Sequence, residues 1–243
     1  MTPVNESLSI IIPAYNEASR LPGTLERILS WLDEYGIDGE IIVSDDGSTD
    51  ETVALARRWM EKDGRVLVLP AEHNRGKGAA VRRGVEASTR AWILFSDADL
   101  STPIEEFALL AEKMTSGFDI AIGSRDVGSS RIEEHQPWYR EAMGRTFNRI
   151  VQTVAIAGIK DTQCGFKLFT ASAAKGCFEH MTIEGFAFDV EILFIARRLG
   201  YRIAEVGIRW INDDRSTVHP VRDAFSMFVD VVRIRFRQRR LER

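Results

Sequence analysis

Short apolar runs alternate along the chain with longer stretches of helical period. Residues 8–12 (LSIII) form a β-branched run closed by Pro13, which reads as a buried strand. Residues 18–35 place Leu21, Leu25, Ile28, Leu29 and Leu32 at helical spacing, with Gly36 as a stop. Residues 40–44 (EIIVS) and 66–69 read as the second and third strands. Between them lies a helix that Asp50 can cap and that runs through Met60. A helix over 78–87 leads into a fourth strand at 91–96 (AWILFS). Pro103 then opens another helix, and 119–122 forms another strand. This order predicts an α/β fold: a Rossmann-like, mostly parallel sheet with helices on both faces.

The second half is less regular. Residues 128–136 and 211–220 are polar and read as loops, 139–157 and 188–199 as helices, and 164–169 and 203–210 as strands. Residues 222–240 form an Arg-rich helix. Neither a repeat nor a linker interrupts the pattern. One domain is expected over 1–243, with a nucleotide-binding half at about 8–125 and an acceptor half at about 126–243.

The 243 residues are 44% hydrophobic and 28% charged, enough to fill one core. A net charge of −4 gives no bulk attraction to nucleic acid, so none is expected as a partner. Cys164 and Cys177 lack metal-ligand or disulfide spacing, which fits a reducing compartment. The polar start, 1–7, offers no signal peptide, and no apolar run approaches the roughly 20 residues of a membrane span. A cytoplasmic chain that visits a membrane surface without crossing it is the expectation.

Ligands of parallel α/β sheets bind beyond the carboxyl ends of the strands. Here those ends read Pro13-Ala14-Tyr15-Asn16-Glu17, Asp45-Asp46-Gly47-Ser48 and Asp97-Ala98-Asp99. In extended backbone Asp97 and Asp99 share a face. Two such carboxylates repel unless a cation sits between them, and Mg²⁺ or Mn²⁺ suits a pair of hard oxygens completed by substrate phosphates. The competing structural role is a solvated turn in which one of them caps the helix at Pro103. Asp46 can accept from a base N–H or a ribose hydroxyl, while Asp45 can start a turn and Asp50 can cap. Tyr15 can lie against a base or simply pack, and Glu17 can accept a ribose hydroxyl. The loop His73-Asn74-Arg75-Gly76-Lys77-Gly78 opens a helix, where small residues, a helix N-terminus and the Lys77 charge favour phosphate. It lacks Walker spacing, and no G-x-G-x-x-G follows the first strand.

Taken in order, these motifs resemble those of family 2 glycosyltransferases of the GT-A fold. The likeness is strongest to dolichyl-phosphate β-glucosyltransferases and bacterial polyprenyl-phosphate relatives. It rests on Tyr15-Asn16-Glu17 with Arg20-Leu21-Pro22, on 74–78 (NRGKG), on Gly123-Ser124-Arg125, on 161–169 (DTQCGFKLF) and on 187–191 (AFDVE). The resemblance implies that Pro13, Tyr15, Glu17, Asp46, Lys77, Gly78, Asp97 and Ala98 hold the donor. It implies that Asp97 and Asp99 bind the metal, and that Arg125, Arg140 and Arg215 face the acceptor phosphate. Asp161 and Asp189 join Asp97 and Asp99 as candidate catalytic acids; from the residues alone either could instead be a structural partner for arginine or backbone N–H groups. Relatives usually carry Ser-Lys where this chain has Ser216-Thr217, so Arg215 or His219 is the candidate replacement for that lysine.

The implied reaction is inverting transfer of a hexose from a nucleotide sugar, UDP-glucose favoured, to polyprenyl phosphate. Alternatives are GDP-mannose as donor, a soluble or polymeric acceptor, a sugar-1-phosphate nucleotidyltransferase, and a non-catalytic membrane-surface module. A phosphate monoester has a second pKa near ~6, so such an acceptor is already largely anionic and needs no strong base. The last 23 residues, 221–243, mix Phe225, Phe228, Val231, Val232, Ile234 and Phe236 with seven arginines. That mixture predicts a helix at an anionic bilayer surface, or one packed on the core and ending in a basic tail.

Overall fold

A computed structural model describes residues 6–133, 148, 151–153, 155–212 and 220–237, the helix ends 220–226 and 237 as backbone only. Its centre is a seven-stranded sheet in the order β3-β2-β1-β4-β7-β5-β8. The strands are β1 (Leu8–Ala14), β2 (Gly39–Asp45), β3 (Val66–Leu69), β4 (Trp92–Ser96), β5 (Ile120–Ser124), β7 (Phe166–Thr170) and β8 (Ile203–Gly207). All run parallel except β7, which enters between β4 and β5 and is antiparallel to both. A two-stranded parallel ribbon joins β6 (Arg131–Ile132) to β9 (Arg209–Trp210). The strand expected over 203–210 is therefore two strands in different sheets, broken at Ile208.

Alternate residues of each strand feed two apolar layers. Ile10, Ile12, Ile41, Val43, Leu94 and Leu168 pack against α1 (Leu21–Tyr35), α2 (Thr52–Lys62) and α4 (Phe107–Thr115). Ile11, Ile42, Ile93, Phe95, Ile122 and Phe169 pack against α3 (Lys77–Ala87), α5 (Ala171–Glu179), α6 (Phe188–Arg198) and α7 (Pro220–Arg237). Burial on both faces explains why the strands read as unbroken apolar runs. The helix α5 has no counterpart in the sequence reading, although Thr170 caps it by accepting from the Ala173 N–H at 3.2 Å. Pro103 precedes a single 3₁₀ turn, Ile104–Glu106, that leads into α4.

Most of the helix expected over 139–157 falls outside the described residues, as do the loop at 213–219 and the side chains of Arg140 and Arg215. The shorter stretch 151–153 is helical. Among the described residues no helix is long and apolar enough to cross a membrane.

Candidate active site

The carboxyl ends of β1, β2, β4 and β5 lie along one edge of the sheet, and the chain entering antiparallel β7 arrives at the same edge. Segment 15–18 after β1 is stitched to the loop after β2. The Asn16 N–H donates to Ser48 Oγ (2.8 Å), the Glu17 N–H to Thr52 Oγ1 (2.8 Å), and Asn16 Oδ1 accepts from the Thr49 N–H (2.9 Å). Asn16 takes a left-handed backbone, φ 57°, one of the few non-glycine residues to do so readily. Asp50 accepts from the Thr52 and Ala18 N–H groups just ahead of α2, but the N-cap position itself falls on Glu51, which makes no side-chain cap bond.

Of the two acids at the tip of β2, Asp46 uses both oxygens on the basic loop. It accepts from the Arg75 N–H (3.1 Å) and the Gly76 N–H (2.7 Å). Asp45 Oδ2 accepts from the Gly47 and Ser48 N–H groups (3.0 and 3.1 Å), closing the expected turn. Its other oxygen, Oδ1, is buried and has no partner among the described residues. The sequence reading picked Asp46 of this pair for ligand contact and missed the unengaged acceptor on Asp45. Adjacent identical acids give no clue to which one turns inward.

The loop at 73–78 is also held by protein. The Ala79 N–H donates to the Glu184 carbonyl (3.2 Å), and a Cβ on Gly78 would stand 2.8 Å from the Ile183 carbonyl oxygen. Segment 182–185 is fixed in turn by the buried Glu191, which accepts from the Thr182 N–H (2.9 Å) and the Ile183 N–H (2.7 Å). The small residues here serve a close backbone crossing. The loop also carries the Lys77 ammonium.

Lys77 Nζ lies 2.6 Å from Asp97 Oδ1. Burial disfavours the ammonium, but the charges of Asp97 and Asp189 outweigh it and raise the Lys77 pKa. The Asp97 side chain keeps 35% of its surface exposed. Asp99 Oδ1 accepts from the Ser101 N–H (2.9 Å), closing a turn, but neither Asp97 nor Asp99 caps the 3₁₀ turn that follows Pro103, which has no side-chain cap. Burial, then the Asp97 charge, pushes the Asp99 carboxyl up. Glu17 is lifted mainly by burial, with Asp99 and Asp97 adding, against the Arg20 guanidinium that holds it at 2.5 and 2.6 Å. Glu17, Asp97 and Asp99 thus form one acidic patch edged by Lys77 and Arg20. Tyr15 stands 40% exposed at the rim, beside Pro13 and above buried Ala14. Ala98 is buried, and its carbonyl accepts from Thr24 Oγ1 (2.5 Å).

Beyond β5, Arg125 and Asp161 make a fork. Asp161, fully buried, accepts from Arg125 Nε (2.7 Å), Arg125 Nη2 (2.9 Å), the Arg125 N–H (3.0 Å) and the Gln163 N–H (3.2 Å). Burial would raise the Asp161 pKa, but Arg125 outweighs it and holds the carboxyl below the ordinary range. Arg125 also lies over the Trp210 ring, 5.6 Å from its centroid. Asp189 is buried against Lys167, Nζ to Oδ1 2.5 Å.

A parallel sheet with a reversed strand near one side, carrying an acidic patch and a basic fork along its carboxyl edge, is the GT-A glycosyltransferase arrangement. The chain belongs to the Glycosyl transferase family 2, whose sequence model matches residues 9–178. Its relatives include the dolichyl-phosphate β-glucosyltransferase of Dictyostelium discoideum, 40% identical over 96% of this chain and 75% of that one. The human dolichyl-phosphate β-glucosyltransferase is 35% identical over 96% and 76%. Among solved structures, glucosyl-3-phosphoglycerate synthase of Mycobacterium tuberculosis, in complex with Mn²⁺, UDP and phosphoglyceric acid, superposes with a TM-score of 0.69. It is 18% identical over 95% of this chain and 77% of that one. Mannosyl-3-phosphoglycerate synthase of Rubrobacter xylanophilus gives 0.70 at 19% identity over 98% and 75%.

Proposed function

We propose that the chain is an inverting glucosyltransferase that moves glucose from UDP-glucose to a polyprenyl phosphate of the dolichyl type at an anionic membrane surface. The carrying observation is the placement of two unlike charge devices on one sheet edge: the Asp97–Lys77–Asp99 patch for the donor and the Arg125–Asp161 fork for the acceptor. Similarity to dolichyl-phosphate β-glucosyltransferases over 96% of this chain and about three quarters of theirs supports the same pairing of substrates.

Asp97 and Asp99 fit a divalent ion. They are hard oxygen donors, they repel each other enough to lift Asp99, and Asp97 retains an accessible surface. Among the described residues no group of three or more acids, histidines or cysteines could hold a metal. A two-carboxylate site leaves the rest of the shell to phosphate oxygens and water, the habit of Mg²⁺ and Mn²⁺. Such an ion, when bound, neutralises the departing diphosphate. Lys77 adds a fixed positive charge at the same place, pre-oriented by Asp97. Asp45 presents a buried acceptor to a base N–H, and Glu17 lies where a ribose hydroxyl can reach it.

On the acceptor side, the chain has to position a phosphate that is already ionised. Asp161 is a poor proton acceptor, since Arg125 holds it ionised well into acid. Its role is to aim the guanidinium. With Nε and Nη2 engaged, Arg125 Nη1 is left to the acceptor phosphate.

The test is a panel of nucleotide sugars with polyprenyl phosphate, scored for glycolipid. UDP-glucose should give product, and Asp97→Asn and Asp99→Asn should each lose at least ~100-fold in turnover, about 2.7 kcal/mol of barrier. A chain that uses only GDP-mannose, or only a soluble acceptor, overturns the reading.

A further inference from the structure

Lys167 is a charged residue in the middle of an apolar layer. Strand β7 pairs antiparallel with β4 in the register Phe95↔Lys167, so Lys167 points to the same side of the sheet as Phe95 and Phe169. Its side chain is fully buried. The ammonium donates to the Cys164 carbonyl (2.5 Å) and to Asp189 Oδ1 (2.5 Å), and lies 5.0 Å from the Phe95 ring centroid. A buried ion pair gains little stability over apolar residues of the same volume, because desolvation of both charges opposes their attraction. The pair therefore has another use, and its contacts show which. The peptide it grips at Cys164 leads directly into Gly165, whose carbonyl accepts from the Asp97 N–H at 3.1 Å. A Cβ on Gly165 would stand 2.0 Å from Asp97 Oδ2 and 2.6 Å from Oδ1. The link therefore lies flat against the carboxylate at the end of β4.

We propose that the buried Lys167–Asp189 pair is a positioning device: it anchors the Cys164–Gly165 link, and the link fixes the Asp97 carboxylate for a divalent cation. Neither residue of the pair touches substrate. Asp189 lies between two ammonium groups, holding Lys167 directly and acting through its charge on Lys77, which itself sits on Asp97. The link on one side and Lys77 on the other thus hold the Asp97 carboxylate in place before any ligand arrives. This assignment rests on the metal reading of Asp97.

The experiment measures Mn²⁺ uptake in the presence of UDP by the decrease in free Mn²⁺ electron paramagnetic resonance, alongside thermal stability and metal-free UDP binding. In the double variant Lys167→Met/Asp189→Leu both charges are replaced by apolar groups, so no lone buried charge remains. It should stay folded, bind UDP without metal as wild type does, and lose tenfold or more in Mn²⁺ affinity, the usual scale for a group that orients a metal ligand. In Gly165→Ala the ion pair is intact but a methyl group is pushed against Asp97, and it should lose Mn²⁺ to a similar degree. If the double variant does not fold, Gly165→Ala still tests the link on which the proposal depends, because wild-type Mn²⁺ affinity there overturns it. Wild-type Mn²⁺ affinity in either folded variant overturns the positioning role. A wild-type chain that takes up no Mn²⁺ with UDP overturns the metal reading, and this inference with it.

Discussion

At the scale of single residues, acids that look alike in the sequence do different work. Asp161 is saturated by one arginine and two backbone N–H groups, whereas Asp45 keeps a buried oxygen unused. Asp161→Asn weakens the fork and frees Arg125 to turn. Turnover should fall at least ~10-fold, with a stability loss of about 1–3 kcal/mol. Wild-type turnover would remove Asp161 from the mechanism. The pH dependence has a defined sign. Asp161 is held below its unfolded value of about 3.9, so its stabilisation is fully present above about pH 4 and fades as pH falls through the lower folded value. Asp161→Asn should flatten the acid limb of Tm against pH, measured by scanning calorimetry between about pH 3 and 7. Asp45→Asn keeps one acceptor for the Gly47 and Ser48 N–H groups but can place an amide N–H₂ where the free oxygen stands. UDP affinity should drop roughly tenfold, about 1.4 kcal/mol, by titration calorimetry. Asp50→Asn, at an exposed position outside the proposed donor contacts, should bind UDP as wild type does.

Secondary-structure elements in the first half could be read because the helices are amphipathic, the strands are unbroken apolar runs, and most are bounded by Pro, Gly or Asp. The order β1 to β4 with α1 to α3 follows, and so does the placement of Tyr15, Asp46 and Asp97 on one edge. Strand β7 shows where that legibility ends. A five-residue apolar run says nothing of its direction, so its reversal between β4 and β5 emerges only from pairing. The Lys167 in that run looks like a surface residue until the partner on α6 is known. Glycines 76 and 78 suggested a phosphate cradle, yet their space is filled by the 183–185 backbone, a contact more than a hundred residues away in sequence.

Helix α7 packs on the core, as one of its two sequence readings has it, and leaves two aromatic side chains exposed. Val231 and Ile234 are buried against the core, while Phe228 and Phe236 are 42% and 66% exposed with Arg233 and Arg235 beside them. Residues 228, 232 and 236 follow one another at four-residue spacing along a single stripe. Phe228→Asp with Phe236→Asp should reduce co-sedimentation with anionic liposomes several-fold and leave Tm within about 2 °C, since both changes fall on exposed positions. Unchanged sedimentation would leave α7 as a core helix with a basic end.

In the molecule as a whole, the sheet separates two tasks and joins them through β7. On the proposed reading the donor meets β1, β2 and β4 and the acceptor meets the fork beyond β5, while the segment that leads into the strand between them presses on Asp97. On that reading Asp97 and Asp99 would hold the ion together with the diphosphate, so nucleotide binding and metal binding should be coupled on the donor side. That coupling is measurable without any acceptor. A ligand present at 100 times its Kd stabilises a fold by about 2.7 kcal/mol, which for a chain of this size raises Tm by about 5–10 °C. UDP with Mn²⁺ should give a shift of this size, and UDP with excess chelator clearly less. The chelator alone should leave Tm unchanged, since β4 and its flanking layers are held by apolar packing. In Asp97→Asn the Mn²⁺-dependent part of the shift should vanish while the metal-free part persists. Equal stabilisation by UDP with and without chelator would mean that the β4 acids do not bind metal together with the nucleotide, and the division of labour along the sheet would have to be redrawn.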